Sequence, residues 1–227
     1  MTTDLHPTTR TVLLDDDERQ QVFRACLDAL ARPGKLQRMA HPLHAPIELP
    51  MLALTDLMVP VAALAGRRPG QAQEEPGSTE FDAEAAATRI AGLTRAPLTT
   101  PDSARWVLAG HDPDPARVAT LAAGTAADPH LGAMLCLPVT GLAEVTGETG
   151  AAPTEAGSRP GWRTLELTGP GIRGARYLRA SGISPELLAT RAELTAAYPL
   201  GIDVLAISPA GDLLGLPRTT RVREVSR

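Results

Sequence analysis

The chain has 227 residues, of which 43% are hydrophobic and 21% charged, values typical of a soluble globular protein that can bury a substantial core. Its formal charge of −4 and its aromatic content of only 3% argue against nucleic-acid binding, which favours a basic surplus and aromatic stacking platforms. No apolar stretch reaches the length of a membrane span, and the N-terminus lacks the layout of a signal peptide, so we expect a cytoplasmic protein without membrane contact.

Residues 1–14 are predicted to be a loose arm, and the strongest helical pattern of the chain follows them directly. In DDDERQQVFRACLDAL the apolar residues recur at helical spacing, which places on one face Val22, Phe23, Cys26, Leu27 and Leu30. The acidic run in front of them complements the positive end of the helix dipole, and we favour this capping role over a metal site. Pro33 and Gly34 are predicted to end the helix.

The middle of the chain is predicted to alternate helices and strands. Pro60 separates a short helix in LPMLAL from a strand in VAALAG, and an exposed loop is expected at about 66–80. A helix over 81–94, a strand in ARWVLAG and a helix in DPARVATLAA follow, with Gly124 past the end of the last. The run GAMLCLPVTGL is apolar throughout, which is typical of a central strand that is buried on both faces.

Strands dominate the second half, after a second exposed loop at about 147–162. WRTLELTG and ARYLRA are strand-like, and a helix with Ser184 as its N-cap and Pro185 at its first position comes next. GIDVLAIS and LGLPRTTRV are the last predicted strands, joined by a turn at 209–212. The pattern predicts an α/β fold, a three-layer α/β/α sandwich whose mixed central sheet includes AMLCLPV, LELTG, GIDVLAI and LGLPRTT, with residues 15–227 as one domain.

Two motifs of the sequence could carry chemistry. The stretch GPGIRG, Gly169 to Gly174, matches a dinucleotide-binding pattern, but strand-like residues follow it where that fold needs a helix, so we favour a structural turn in which Gly169, Pro170 and Gly171 set the backbone. His41 and His44, with Glu48 beyond, lie among prolines that prevent one helix from presenting both rings, which disfavours a metal site. The chain also lacks a G-x-S-x-G elbow and a Walker loop.

Cysteine and lysine counts limit the chemistry further. Cys26 and Cys136 lie inside apolar runs, which predicts buried, reduced thiols. Lys35 is the one lysine of the sequence, beside 21 arginines. A pyridoxal-phosphate aldimine needs a lysine amine, and Lys35 directly follows the helix-ending Pro33-Gly34, so we expect it to have a structural role and expect no bound cofactor.

Four segments, FRACLDALARPG, LELTGPGI, YPLGIDVLAI and LGLPRTTRV, together resemble the PhnH family, subunits of the bacterial carbon–phosphorus lyase system. The resemblance implies a fold similar to pyridoxal-phosphate-dependent transferases but without the cofactor. It implies partner subunits PhnG, PhnI and PhnJ, a homodimer in isolation, and no catalytic residue set in this subunit. The implied role is that of a non-catalytic or accessory subunit that supports transfer of a phosphonate onto the ribose of a nucleoside triphosphate. The alternatives are a free-standing pyridoxal-phosphate-type enzyme and a nucleotide-binding module that uses the Gly169–Gly174 turn.

The C-terminal segment GLPRTTRVR leaves three interpretations open. Pro217 cannot donate a ladder hydrogen bond, so the segment lies near a sheet edge or contains a break. A solvated edge guarded by charge, a docking surface for partner subunits and a phosphate contact are all compatible with Arg218, Thr219, Thr220 and Arg221. On the docking interpretation, Arg218→Ala weakens assembly and leaves folding nearly intact.

Overall fold

The computed structural model describes residues 13–67, 81–145 and 160–225. Most of the predicted N-terminal arm and nearly all of the two predicted loops lie outside these ranges. Within the ranges, no helix combines the length and the apolar character needed to cross a bilayer.

The described part of the chain contains five α-helices and ten strands. The helices are α1 Asp16–Ala31, α2 Leu49–Leu54, α3 Ala83–Thr94, α4 Pro115–Val118 and α5 Pro185–Leu194. The strands are β1 Gln37–Arg38, β2 Val61–Leu64, β3 Trp106–Ala109, β4 Met134–Pro138, β5 Gly141–Glu144, β6 Trp162–Thr168, β7 Arg176–Ser181, β8 Asp203–Ile207, β9 Asp212–Leu216 and β10 Arg221–Glu224.

Two helix starts follow their predicted caps. The backbone N–H of Glu18 donates to Asp15 Oδ1 at 2.8 Å, and the backbone N–H of Asp15 donates to Glu18 Oε2 at 2.8 Å, so the acidic run forms a capping box at α1. Ser184 caps α5 through its Oγ, with Pro185 at the first helical position. Helix α4 is shorter than predicted, because it ends at Val118 and residues 119–124 are not helical.

Six strands form a mixed sheet in the order β1-β9-β8-β4-β3-β2. Strands β2, β3, β4 and β8 are parallel, while β9 is antiparallel to β8 and β1 is antiparallel to β9. The predicted central position of the apolar run is confirmed, since β4 lies between β3 and β8. The structure is therefore of the α/β class with a mixed sheet, as predicted.

A second, antiparallel sheet has the order β10-β6-β7-β5. The prediction that LELTG joins the central sheet is wrong, because this segment is part of β6 in the second sheet. The burial pattern of β6 fits this position. Leu165 and Leu167 are buried whereas the residues between and beside them are half-buried, so only one face of the strand is covered. The prediction of one strand in LGLPRTTRV is also wrong, since the segment crosses from β9 to β10 through a turn at 217–220.

Alternate residues of the mixed sheet enter two different cores. On β4, Leu135 and Leu137 face a core shared with the second sheet, α4 and α5, while Cys136 faces a core shared with α1, α2 and α3. One outer layer is thus helical, and the other combines the second sheet with two helices. On the helical side α1 lies directly on β9, where a side chain at Gly215 would collide with the backbone of Ala29.

Candidate functional site

The turn between Pro217 and Arg221 connects the two sheets. Strand β9 ends at Leu216 in the mixed sheet, and β10 begins at Arg221 in the second sheet. Pro217 marks the break, and the backbone N–H of Thr220 donates to the carbonyl of Pro217 at 2.8 Å. The sequence motif at this point is therefore a crossing between sheets, and its side chains lie where the two sheets and α5 meet.

Arg218 points into the protein and holds this turn to the start of β8. Its Nη2 donates to Asp203 Oδ2 at 2.7 Å, and its backbone N–H donates to Asp203 Oδ1 at 2.6 Å. Its Nη1 donates to the carbonyls of Pro129 at 2.7 Å and Pro199 at 3.2 Å. Only 12% of the side chain is exposed. Arg218 is one of the four residues predicted to form a contact site, but its hydrogen bonds are made to other parts of this chain.

Arg191, on α5, organises the turn from the opposite side. Its Nη1 donates to the carbonyl of Thr220 at 3.1 Å, and its Nη2 donates to the carbonyls of Leu216 at 3.2 Å and Pro217 at 2.7 Å. The residue is 4% exposed, and burial lowers its pKa to about 10, an effect that the charge of Asp203 partly opposes. The guanidinium is therefore still charged at neutral pH.

Sequence reasoning missed Arg191, although a signal was present. Leu187 lies four residues before it and Leu194 three residues after it, so the arginine occupies a core-facing position of α5. Leu187 is buried and Leu194 packs against the same core. An arginine in such a row must find partners for its guanidinium inside the protein, and the carbonyls of the turn provide them.

An open groove of about 620 Å³ lies between the end of α5 and this turn. The described residues that line it are Pro170, Arg191, Ala192, Thr195, Ala196, Tyr198, Arg218, Thr219, Thr220, Arg221 and Val222. Thr219 is half-buried, Thr220 is buried and Arg221 is exposed, so the groove brings together the predicted contact residues. The lining contains three arginines and no carboxylate, in a chain whose formal charge is −4.

The glycine-rich turn packs between the end of α1 and the Pro217–Arg221 turn. A Cβ at Gly171, where φ is +81°, would lie 2.5 Å from the carbonyl oxygen of Ala31 and 3.1 Å from Pro33 Cδ. A Cβ at Gly169, where φ is +134°, would lie 2.7 Å from the carbonyl oxygen of Thr219. Three sequence motifs that are far apart in the chain are therefore in contact, and glycine is required for the close approach.

The structure around the glycine-rich turn does not resemble a dinucleotide-binding site. The turn joins β6 to β7, as predicted, and the element after it is the strand Arg176–Ser181. A dinucleotide site needs a helix N-terminus at that position to face the pyrophosphate. Gly34, also predicted to be structural, has a φ of +82° and leaves room for the side chain of Arg176.

The two histidines weighed as metal ligands form separate carboxylate contacts. His41 Nε2 lies 3.1 Å from Glu18 Oε1, and His44 Nδ1 lies 4.0 Å from Glu48 Oε2, with the two rings 4.8 Å apart. Glu48 also pairs with Arg89, and burial raises the pKa of Glu48 although the charges of Arg89 and His44 oppose the shift. Across residues 13–67, 81–145 and 160–225, no group of three histidine, cysteine or acidic side chains is arranged to hold a metal ion.

The chain is similar to proteins of bacterial phosphonate metabolism. The model of a family described as "Bacterial phosphonate metabolism protein (PhnH)" matches residues 14–223, which is nearly the whole chain. The chain is also similar to a protein of Stutzerimonas stutzeri named "Putative C-P lyase subunit protein HtxG". The two sequences are 28% identical over 204 residues, which cover 90% of this chain and 85% of that protein.

Proposed function

The chain belongs to the PhnH family of bacterial phosphonate metabolism proteins, and from this premise we propose that it is an accessory subunit of a carbon–phosphorus lyase core complex. The observation that carries the proposal is the family match over residues 14–223, and the similarity to a relative named as a C–P lyase subunit supports it. In this role the chain supports transfer of a phosphonate onto the ribose of a nucleoside triphosphate, and the reacting groups belong to its partners.

The proposed partners are PhnG, PhnI and PhnJ, and an exposed apolar stripe on α1 supports their presence. Phe23 and Leu27, one helical turn apart, are 47% and 52% exposed. The sequence places them in the same apolar face as Val22 and Cys26, which are buried. The apolar face of α1 is therefore wider than the surface that residues 13–67, 81–145 and 160–225 cover, and an exposed apolar surface is typical of an interaction site.

The decisive experiment is co-purification. The chain is expressed with PhnG, PhnI and PhnJ of the same genome, one partner carrying an affinity tag, and we expect all four to elute together. A chain that folds alone and never elutes with the partners would contradict the proposal. Phe23→Ser with Leu27→Ser should weaken co-purification, while the control Leu98→Ser, at a leucine that is also 52% exposed, should leave it unchanged.

The same preparation tests the remaining parts of the proposal. We propose that the isolated chain is a homodimer, that residues 15–227 form one folding unit, and that the fold is related to pyridoxal-phosphate-dependent transferases without their cofactor. Sedimentation at micromolar concentration measures the oligomeric state, and a monomer would contradict the homodimer.

Lys35 tests the absence of the cofactor, and it is exposed just after the end of α1. Visible absorbance of an aldimine that Lys35→Ala abolishes would favour the free-standing enzyme instead.

A further inference from the structure

We propose that the groove between α5 and the Pro217–Arg221 turn binds a small molecule that carries a phosphate or phosphonate group. This inference goes beyond membership of a complex, since it concerns a ligand of the isolated chain. It rests on the charges, the unpaired buried atoms and the volume of the groove.

The charges that line the groove favour an anion. Arg218 is neutralised by Asp203, at 2.7 Å, but Arg191 donates to carbonyls only and Arg221 is exposed without an ion-pair partner in the described part of the chain. The groove therefore holds positive charge that its own lining leaves uncompensated. Arginine beside hydroxyl groups is the donor set that phosphate-type oxyanions prefer, because each N–H or O–H forms a charge-assisted hydrogen bond.

Two of the lining residues carry buried polar atoms that lack partners. Arg191 Nε and Thr220 Oγ1 are both inaccessible to solvent, and neither has a hydrogen-bond partner among the residues that the structure describes. The residues are 4% and 1% exposed. They are also neighbours, since Arg191 Nη1 donates to the carbonyl of Thr220 at 3.1 Å. Buried donors without partners are rare in native proteins, and a small shift of the turn around an oxyanion would give both of them an acceptor.

The volume indicates a ligand larger than inorganic phosphate. A groove of about 620 Å³ is in the range of sites for whole small molecules. Tyr198, which is 68% exposed, contributes an aromatic ring to the groove wall. We therefore assign Arg191, Arg221 and the two threonine side chains to the anionic group, and the remaining wall to the body of the ligand.

The test is isothermal titration of the full chain with two probes, sodium tripolyphosphate and methylphosphonate, in separate arms. We expect at least one of the two probes to bind. The probe with the lower dissociation constant shows whether the groove prefers a phosphate chain or a phosphonate. Arg221→Ala should raise the dissociation constant about tenfold or more, as expected for the loss of a charge-assisted contact. Arg223→Ala is the control for net charge. Arg223 lies two residues further along β10, outside the groove lining, and it pairs with Glu166.

Thr220→Val provides a second test that does not change the charge. The substitution keeps the shape of the side chain and removes a hydroxyl group with no described partner, so the variant should fold normally yet bind more weakly. Binding in neither arm by the unaltered chain overturns the proposal. So does an equal loss in Arg221→Ala and Arg223→Ala, which would show attraction to general surface charge only. Neither result affects the co-purification experiment, so the two proposals fail separately.

Discussion

Replacing Arg218 with alanine is expected to destabilise the fold, contrary to what the sequence alone suggested. The guanidinium joins the turn after β9 to Asp203 at the start of β8 and to the carbonyls of Pro129 and Pro199. Removing it leaves a carboxylate whose side chain is only 20% exposed, and two carbonyls that lose a donor. It also opens a void beside Gly132, where a Cβ would lie 2.8 Å from Arg218 Nη1.

The magnitude follows from these contacts. Removing one partner of a fully buried ion pair costs about 3–5 kcal/mol, because the remaining charge is left without compensation. Two features reduce that figure here. Both side chains keep some contact with solvent, at 12% and 20% exposure, and the backbone N–H of residue 218 still donates to Asp203 in the variant. We therefore expect a loss of about 2–4 kcal/mol, or about 5–15 °C in Tm for a chain of this size.

Urea unfolding followed by circular dichroism measures the loss, with Arg221→Ala as the control in the same turn. Arg221 is exposed, so its removal should change the free energy of unfolding by less than about 0.5 kcal/mol. A double-mutant cycle with Asp203→Asn should give a coupling energy of about 1–3 kcal/mol. The reasoning is refuted if Arg218→Ala unfolds within about 0.5 kcal/mol of the unaltered chain.

Three further predictions test the packing, the thiols and a carboxylate. Gly171→Val should cost about 2–4 kcal/mol in urea unfolding, because φ is +81° and a side chain would press on the carbonyl of Ala31; an unchanged midpoint would contradict the turn geometry. Burial raises the pKa of Cys26 to about 12, so the folded chain should react with a thiol reagent at pH 8 about a thousandfold more slowly than the unfolded chain, and equal rates would disprove the burial. Hydrogen bonds from Tyr177, and next those from Arg223, hold the pKa of Glu166 below its usual value, so its contribution to stability is present above the unfolded pKa of about 4.5 and is lost as pH falls through the folded value. The difference in unfolding free energy between the unaltered chain and Glu166→Gln should therefore shrink from pH 7 to pH 3, and a constant difference would count against it.

Local signals in the sequence predicted several elements because the deciding contacts lie within a few residues. The capping box of Asp15 and Glu18 and the Ser184 cap of α5 each involve residues three apart. The central position of β4 followed from its continuous apolar character. Helical periodicity also placed Phe23 and Leu27 on the apolar face of α1, but it does not indicate how much of that face a neighbour covers, and both side chains are exposed.

The candidate site could be predicted only in part. Thr219, Thr220 and Arg221 were singled out and do line one groove, but Arg191, which supports the turn, was not. The periodicity of α5 places Arg191 towards the core, but its partners are the carbonyls of residues 25 to 29 positions away, which a local window does not identify. The same holds for the contact of the glycine turn with the end of α1.

The sequence by itself determined the α/β class, the buried strand at the centre of the mixed sheet, the helix caps and the need for glycine at the turns. These features depend on hydrophobic periodicity and on backbone conformations that neighbouring residues specify. Tertiary structure alone decided that β6 and β10 belong to a second sheet, that Arg218 pairs inward with Asp203, and that Arg191 supports the turn beside the groove. Each of these depends on which distant hydrogen-bond donors and acceptors a segment meets, and that is settled only when the two sheets pack together on a shared core.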